Sequence, residues 1–203
     1  MMKITWYGHA CFQVESSCGS VVFDPYAPGS VPGLSLPADL TADAVICSHD
    51  HHDHNYREGV QLTGATPSFT LSSVNCFHDD ACGAKRGPNC ITVLEADGLR
   101  LAHFGDVGHM LPDEAFDMLG KLDVVMIPVG GFYTVDAAVA KKICDRLQPG
   151  HIIPMHYRTG NVGLPVIAEL ADFTVRYSSD DVQLLYGNSV DTSELAGKVV
   201  VFA

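Results

Sequence analysis

His49, His51, Asp53 and His54 fall within six consecutive residues, HDHHDH, directly after the apolar run ADAVICS (Ala42–Ser48). Neutral imidazole and carboxylate form the ligand set for zinc and its first-row neighbours. Residues two apart on an extended segment point the same way, so His49 and His51 can converge on one ion. Asp53 and His54 come as the chain turns and can address a second. The competing reading is a solvated histidine-rich loop or a purification tag. The internal position and the interleaved Asp50 and Asp53 argue against a tag.

Three further polar residues close apolar runs: His78 after VNCF, Asp106 after RLAHFG, and His156 after IIPM. Each alone reads equally well as a satisfied polar residue. Taken with the histidine cluster they give seven ligands, enough for two divalent ions sharing one carboxylate.

These residues need strand ends to hold them. Short β-strands are predicted at Lys3–Tyr7, Cys11–Glu15, Ser20–Asp24 and Ala44–Ser48, with a proline-rich loop from Pro25 to Pro37. Ser68–Leu71 and Val74–Phe77 read as two strands. A Gly/Pro loop, Asp79–Asn89, precedes a hairpin, Cys90–Ala96 and Leu99–Phe104, turning at Asp97–Gly98. Beyond Gly105 helix and strand alternate. Helices are expected at Asp113–Gly120, from a Thr134 cap to Leu147, and at Pro165–Ala171. Strands are expected at Asp123–Pro128, Ile152–Met155, Thr174–Tyr177, Gln183–Tyr186 and Lys198–Phe202. The pattern is that of a layered α/β sandwich with its chemistry at strand ends.

The 203 residues fit a single domain, 1–203, and 47% hydrophobic content fills a core. A formal net charge of −12 disfavours binding to large nucleic acids. Seven scattered cysteines suit a reducing compartment. With no signal-peptide core and no membrane-span-length apolar run, a cytoplasmic protein is expected. Oligomeric state is not readable.

The order His-x-His-x-Asp-His, His, Asp, His resembles the metallo-β-lactamase superfamily over nearly the whole chain. The resemblance implies a four-layer αββα sandwich of two pseudo-repeated halves with the site at the edge between two sheets. It implies His49, His51 and His78 on one metal, Asp53, His54 and His156 on a second, and Asp106 bridging. The segments WYGHACF, KRGPN, HFGD, IPVGGFYT and IPMHY resemble the metal-dependent hydrolases related to L-ascorbate-6-phosphate lactonase. The implied activity is hydrolysis of a small ester, lactone or phosphoester by a hydroxide held between two divalent cations, zinc first, with manganese or iron as alternatives. The competing functions are a catalytically silent metal-binding sensor or assembly protein, and a phosphodiesterase for small nucleotides.

Around the ligands, Asp53 is a possible proton relay as well as a ligand. Asp24, ending SVVFD, is the leading candidate to orient an imidazole. His9, in the GHA turn, is placed to face the site and touch substrate or solvent. Against these stand a turn aspartate before Pro25 and a packing histidine. Lys85 and Arg86 suggest a substrate anion, or two solvated loop charges. The Gly130–Gly131 backbone is a candidate anion receiver, or only a tight turn. Tyr133 and Tyr157 are candidate pocket walls. His103, His109 and His151 are expected to make structural hydrogen bonds only.

Overall fold

Val21, Val22 and Phe23 are all buried, yet they face different partners. Side chains alternate across a strand, so Val21 and Phe23 join the main core while Val22 packs with Tyr26, Val31 and Leu40. This strand is therefore covered on both faces. The structure, a computed structural model, describes residues 1–202; Ala203 lies outside the described residues.

The strands in chain order are β1 (Lys3–Trp6), β2 (Phe12–Ser16), β3 (Gly19–Phe23), β4 (Thr41–Ala42), β5 (Ala44–Ile46), β6 (Gln61–Leu62) and β7 (Thr70–Phe77). They continue with β8 (Pro88–Ala96), β9 (Leu99–His103), β10 (Val124–Pro128), β11 (His151–Met155), β12 (Val182–Leu185), β13 (Ser189–Asp191) and β14 (Val199–Phe202). Helices are α1 (Asp113–Leu119), α2 (Ala137–Leu147) and α3 (Ala171–Thr174).

One sheet runs β13-β1-β2-β3-β5 and a second runs β12-β14-β11-β10-β9-β8-β7, with β4 and β6 as a small separate pair. The sheets pack face to face. Trp6 and Phe12 of the first sheet lie 5.9 and 6.4 Å, ring to ring, from Phe202 of the second. Full burial of one such side chain is worth about 1.5–3 kcal/mol. The helices α1 and α2 contact the second sheet, and α3 packs on α2. The outer face of the first sheet is covered by chain between Tyr26 and Val60 rather than by helix. The two packed sheets are those of the expected α/β sandwich, while the helical layer expected over the first sheet is replaced by this stretch of chain. Among the described residues no helix is long and apolar enough to cross a membrane.

Local expectations hold where the signal is local. Asp97 and Gly98 both have positive φ, 51° and 76°, as a two-residue hairpin turn of the primed type requires. Other details differ. The helix after β10 begins at Ala137, because Asp136 rather than Thr134 caps it by accepting from Val139 N at 2.8 Å. Ser68–Leu71 and Val74–Phe77 merge into β7, an edge strand that pairs with β8. No helix spans Pro165–Ala171, where Ala168 N bonds to Gly130 O and Arg158 N to Ala168 O. Of the strand expected at Thr174–Tyr177, Thr174 ends α3 and the three residues after it form a turn.

Candidate metal centre

Strand direction brings the candidate residues to one edge. β9, β10 and β11 are parallel, and β7 reaches the same direction through two antiparallel steps across β8. His78 after β7, Asp106 after β9 and His156 after β11 therefore leave the second sheet on one side. β3 and β5 are parallel in the first sheet, so Asp24 and His49–His54 also leave together. β2 runs against β3, which places the β1–β2 turn, with His9, at that edge too.

Two groups of donor atoms result. Those of His49, His51 and His78 lie within 4.8 Å of one another, and so do those of His9, Asp53, His54 and His156. Asp106 stands between the groups. Its Oδ2 lies 3.1 Å from His78 Nε2 and 3.2 Å from both His54 Nε2 and His156 Nε2. Ligand atoms around one tetrahedral zinc sit about 3.3 Å apart, given bonds of about 2.0–2.1 Å, so these separations suit a shared cation. Among the described residues, His49 Nε2, His54 Nε2, Asp106 Oδ1 and both ring nitrogens of His9 and His156 are buried without a hydrogen bond. Buried polar atoms of that kind ordinarily find partners. The residues present fit a pair of divalent ions.

A surrounding layer fixes the rings. Asp24, fully buried, accepts from His54 Nδ1 at 2.8 Å, from Ser48 N at 2.7 Å and from Ser48 Oγ at 2.6 Å. Ser48 Oγ also sits 2.9 Å from His49 Nδ1. A third grouping of donors, Asp24, His49 and His54, is thus already satisfied by hydrogen bonds, leaving each Nε2 to face the opposite way. His78 Nδ1 is 3.1 Å from the Tyr133 carbonyl, which fixes the tautomer with Nε2 unprotonated. Asn89 Oδ1 accepts from Asp106 N at 2.8 Å while its Nδ2 donates to Phe104 O at 2.9 Å. Gly105 has φ +52°, and an added Cβ would overlap Ser48 and the Asn89 amide oxygen. His9, Asp24 and His156 themselves hold positive φ of 53°, 45° and 53°, conformations that L residues keep only when the surroundings impose them.

The charges are set by burial and proximity. Burial would raise Asp106, but His156 and His54 hold its carboxyl well below the usual carboxylate range. Burial would lower His54, yet Asp106 and Asp24 raise it well above an ordinary imidazole. Asp24 is held low against burial by His103 and His54. Burial, then His54, pushes His49 down to about 3; burial, then His156, pushes His9 down to about 4. Burial would raise Asp53, but His9, 3.4 Å away, and His54 keep it ionised.

A cavity of about 490 Å³ opens over this centre, walled by His51, Asp53, His78, Arg86 and Tyr133, with Ser30 from the proline-rich loop. Arg86 and Tyr133 thus reach it. Lys85 points outward to an exposed ion pair with Asp80 at 2.6 Å, and Tyr157 is buried against Trp6 at 5.6 Å between ring centroids. The Gly130–Gly131 backbone is a turn rather than an anion receiver. Gly131 N donates to Val135 O, and a Cβ on Gly130 would overlap the His156 carbonyl. His103, His109 and His151 make backbone hydrogen bonds away from the centre, to Ala10 O, Met110 O and Gly197 O. Sequence reading missed Ser48, Asn89 and Asp79. Only Ser48 carried a signal, its place immediately before His49.

A family model described as a beta-lactamase superfamily domain matches residues 3–156. A UPF0173 metal-dependent hydrolase of Carboxydothermus hydrogenoformans is 28% identical over 206 residues, covering 84% of this chain and 91% of that protein. One of Pyrococcus furiosus is 28% identical over 208 residues, covering 85% and 91%. A crystal structure of a Thermotoga maritima protein, described as of the metallo-beta-lactamase superfamily, superposes with a TM-score of 0.78 at 32% identity, covering 99% of this chain and 98% of that one.

Proposed function

This chain belongs to the metallo-β-lactamase superfamily and is a metal-dependent hydrolase of it, and we propose that it cleaves a small ester, lactone or phosphoester at a centre for two divalent cations. His49, His51 and His78 would hold one ion, Asp53, His54 and His156 the other, and Asp106 would join them. The single observation that carries this reading is Asp106 Oδ2 within 3.1–3.2 Å of three imidazole nitrogens that arrive from three separate stretches of chain. Two bound cations supply Lewis acidity and a water acidic enough to deprotonate near neutral pH.

The chain's own residues do the rest. Asp24 and Ser48 hold His54 and His49 by their Nδ1 atoms, so their Nε2 atoms are presented to ions. Asp53 is both a ligand and, at the carboxylate oxygen facing His9, a place to hold a proton. His9 Nε2 lies 3.4 Å from that carboxylate and is placed to exchange the proton with it. The cavity admits a small molecule and the acidic chain repels polyanions. Zinc leads among the ions, as the Thermotoga maritima relative is named for zinc dependence; manganese and iron suit the same His/Asp set.

The test is elemental analysis of protein purified without chelator, followed by assay on a panel of lactones, carboxylic esters and phosphodiesters. Bound metal with chelator-sensitive turnover is expected. Metal-free protein that no added cation activates would end the proposal.

A further inference from the structure

Six arginines occur in the chain, and Arg57, Arg100, Arg146, Arg158 and Arg176 each give their guanidinium to a carboxylate or a carbonyl. Among the described residues Arg86 has neither. It stands at the wall of the cavity over the candidate metal centre, a cavity that Asp53 and Asp106 also line. An unpaired guanidinium at a cavity wall has donors free for a ligand, and its planar fork matches a carboxylate or phosphate.

Arg86 is also held in place. Asp79, buried and next in the chain to His78, accepts backbone N–H bonds from Ala81, Gly83, Lys85 and Arg86 at 2.8, 3.0, 3.0 and 2.8 Å. The loop closes through Gly87 N to Gly83 O and His78 N to Gly87 O. The guanidinium lies 5.4 Å from the centre of the Tyr133 ring, the same Tyr133 whose carbonyl meets His78 Nδ1. Two independent ties, through Asp79 and through Tyr133, therefore fix Arg86 relative to His78. A preorganised charge of this kind loses little freedom when it binds.

We propose that Arg86 is the specificity residue of the pocket and that the substrate carries a carboxylate or phosphate group, apart from the bond that is cleaved, which this guanidinium receives. The inference rests on the hydrolase reading above and narrows its substrate class to anionic molecules. A neutral substrate would leave the guanidinium unpaired.

The experiment compares metal-loaded wild type, Arg86→Gln, Arg86→Lys and Lys85→Gln on p-nitrophenyl acetate and on mono-p-nitrophenyl succinate. Titration calorimetry with succinate and with inorganic phosphate runs alongside. Wild type should favour the charged ester by at least about tenfold in kcat/KM, chiefly through KM. Arg86→Gln should remove that preference, Arg86→Lys should keep part of it, and Lys85→Gln should keep all of it. An equal preference in wild type and Arg86→Gln overturns the inference. If metal-loaded wild type turns over neither ester, the hydrolase reading is what fails, and calorimetry then decides the role of Arg86. Binding of succinate or phosphate at least tenfold tighter to wild type than to Arg86→Gln supports it and names the oxyanion; equal binding overturns it.

Discussion

Asp24 and His54 meet in the interior, carboxylate Oδ2 to imidazole Nδ1 at 2.8 Å, with no exposed side-chain surface on either. The imidazole gives its Nδ1–H to the carboxylate, which leaves Nε2 to face the donor group. The same carboxylate takes both hydrogen bonds from Ser48, which reaches on to His49. One buried anion therefore sets the orientation of a ring in each of the two donor groups.

Replacing Asp24 by Asn keeps the shape and removes the charge. Loss of such an outer partner costs about 10–100-fold in metal affinity. Competition against a chromogenic chelator should show that loss in Asp24→Asn. Affinity equal to wild type would deny Asp24 its orienting role.

Ser48→Ala leaves His49 Nδ1 without a partner and removes one of the two hydrogen bonds at Asp24 Oδ2, which keeps His54 Nδ1. Leaving buried polar groups unsatisfied costs about 1–3 kcal/mol, so urea denaturation should shift by that amount. Turnover should fall along with it, because His49 loses its fixed tautomer. A variant with unchanged stability and unchanged turnover would make the Ser48 contacts incidental.

Gly105 packs directly on Ser48 and Asn89 with φ +52°. An alanine there meets both overpacking and a left-handed backbone, together about 2–6 kcal/mol. For a chain of this length the midpoint Tm should fall by at least about 5 °C. A Tm within a degree of wild type would show that the turn relaxes freely.

Much of this site was readable because its signals are local. The HDHHDH cluster, the lone polar residues ending VNCF, RLAHFG and IIPM, and the Asp97–Gly98 turn each announce themselves within a few residues. What escaped depends on distant partners. Ser48 and Asn89 are small polar residues of no special pattern, and their roles exist only once β5, β8 and β9 lie side by side. Pro165–Ala171 carries helix-compatible residues, but hydrogen bonds to Gly130 and Arg158 hold it otherwise. Thr134 and Asp136 are both competent caps two residues apart, and only the structure separates them. Lys85 and Arg86, adjacent in sequence, diverge because the Asp79-centred loop turns one outward and one into the cavity.

Chelation should destabilise the protein as well as silence it. A ligand present at about 1,000 times its Kd stabilises the native state by about 4 kcal/mol, or about 8–16 °C in Tm for this chain length. Exhaustive dialysis against a strong chelator should lower Tm by that order, and added zinc should restore it. Identical melting before and after chelation would argue against ions at the centre.

The most direct measurement is diffraction from crystals grown with zinc, with anomalous data collected at the zinc edge. Two peaks per chain are expected, one among His49, His51 and His78 and the other among Asp53, His54 and His156, with Asp106 touching both. No peak at this edge of the sandwich, or peaks only at other surfaces, would contradict the shared-ion centre on which the hydrolase mechanism is built.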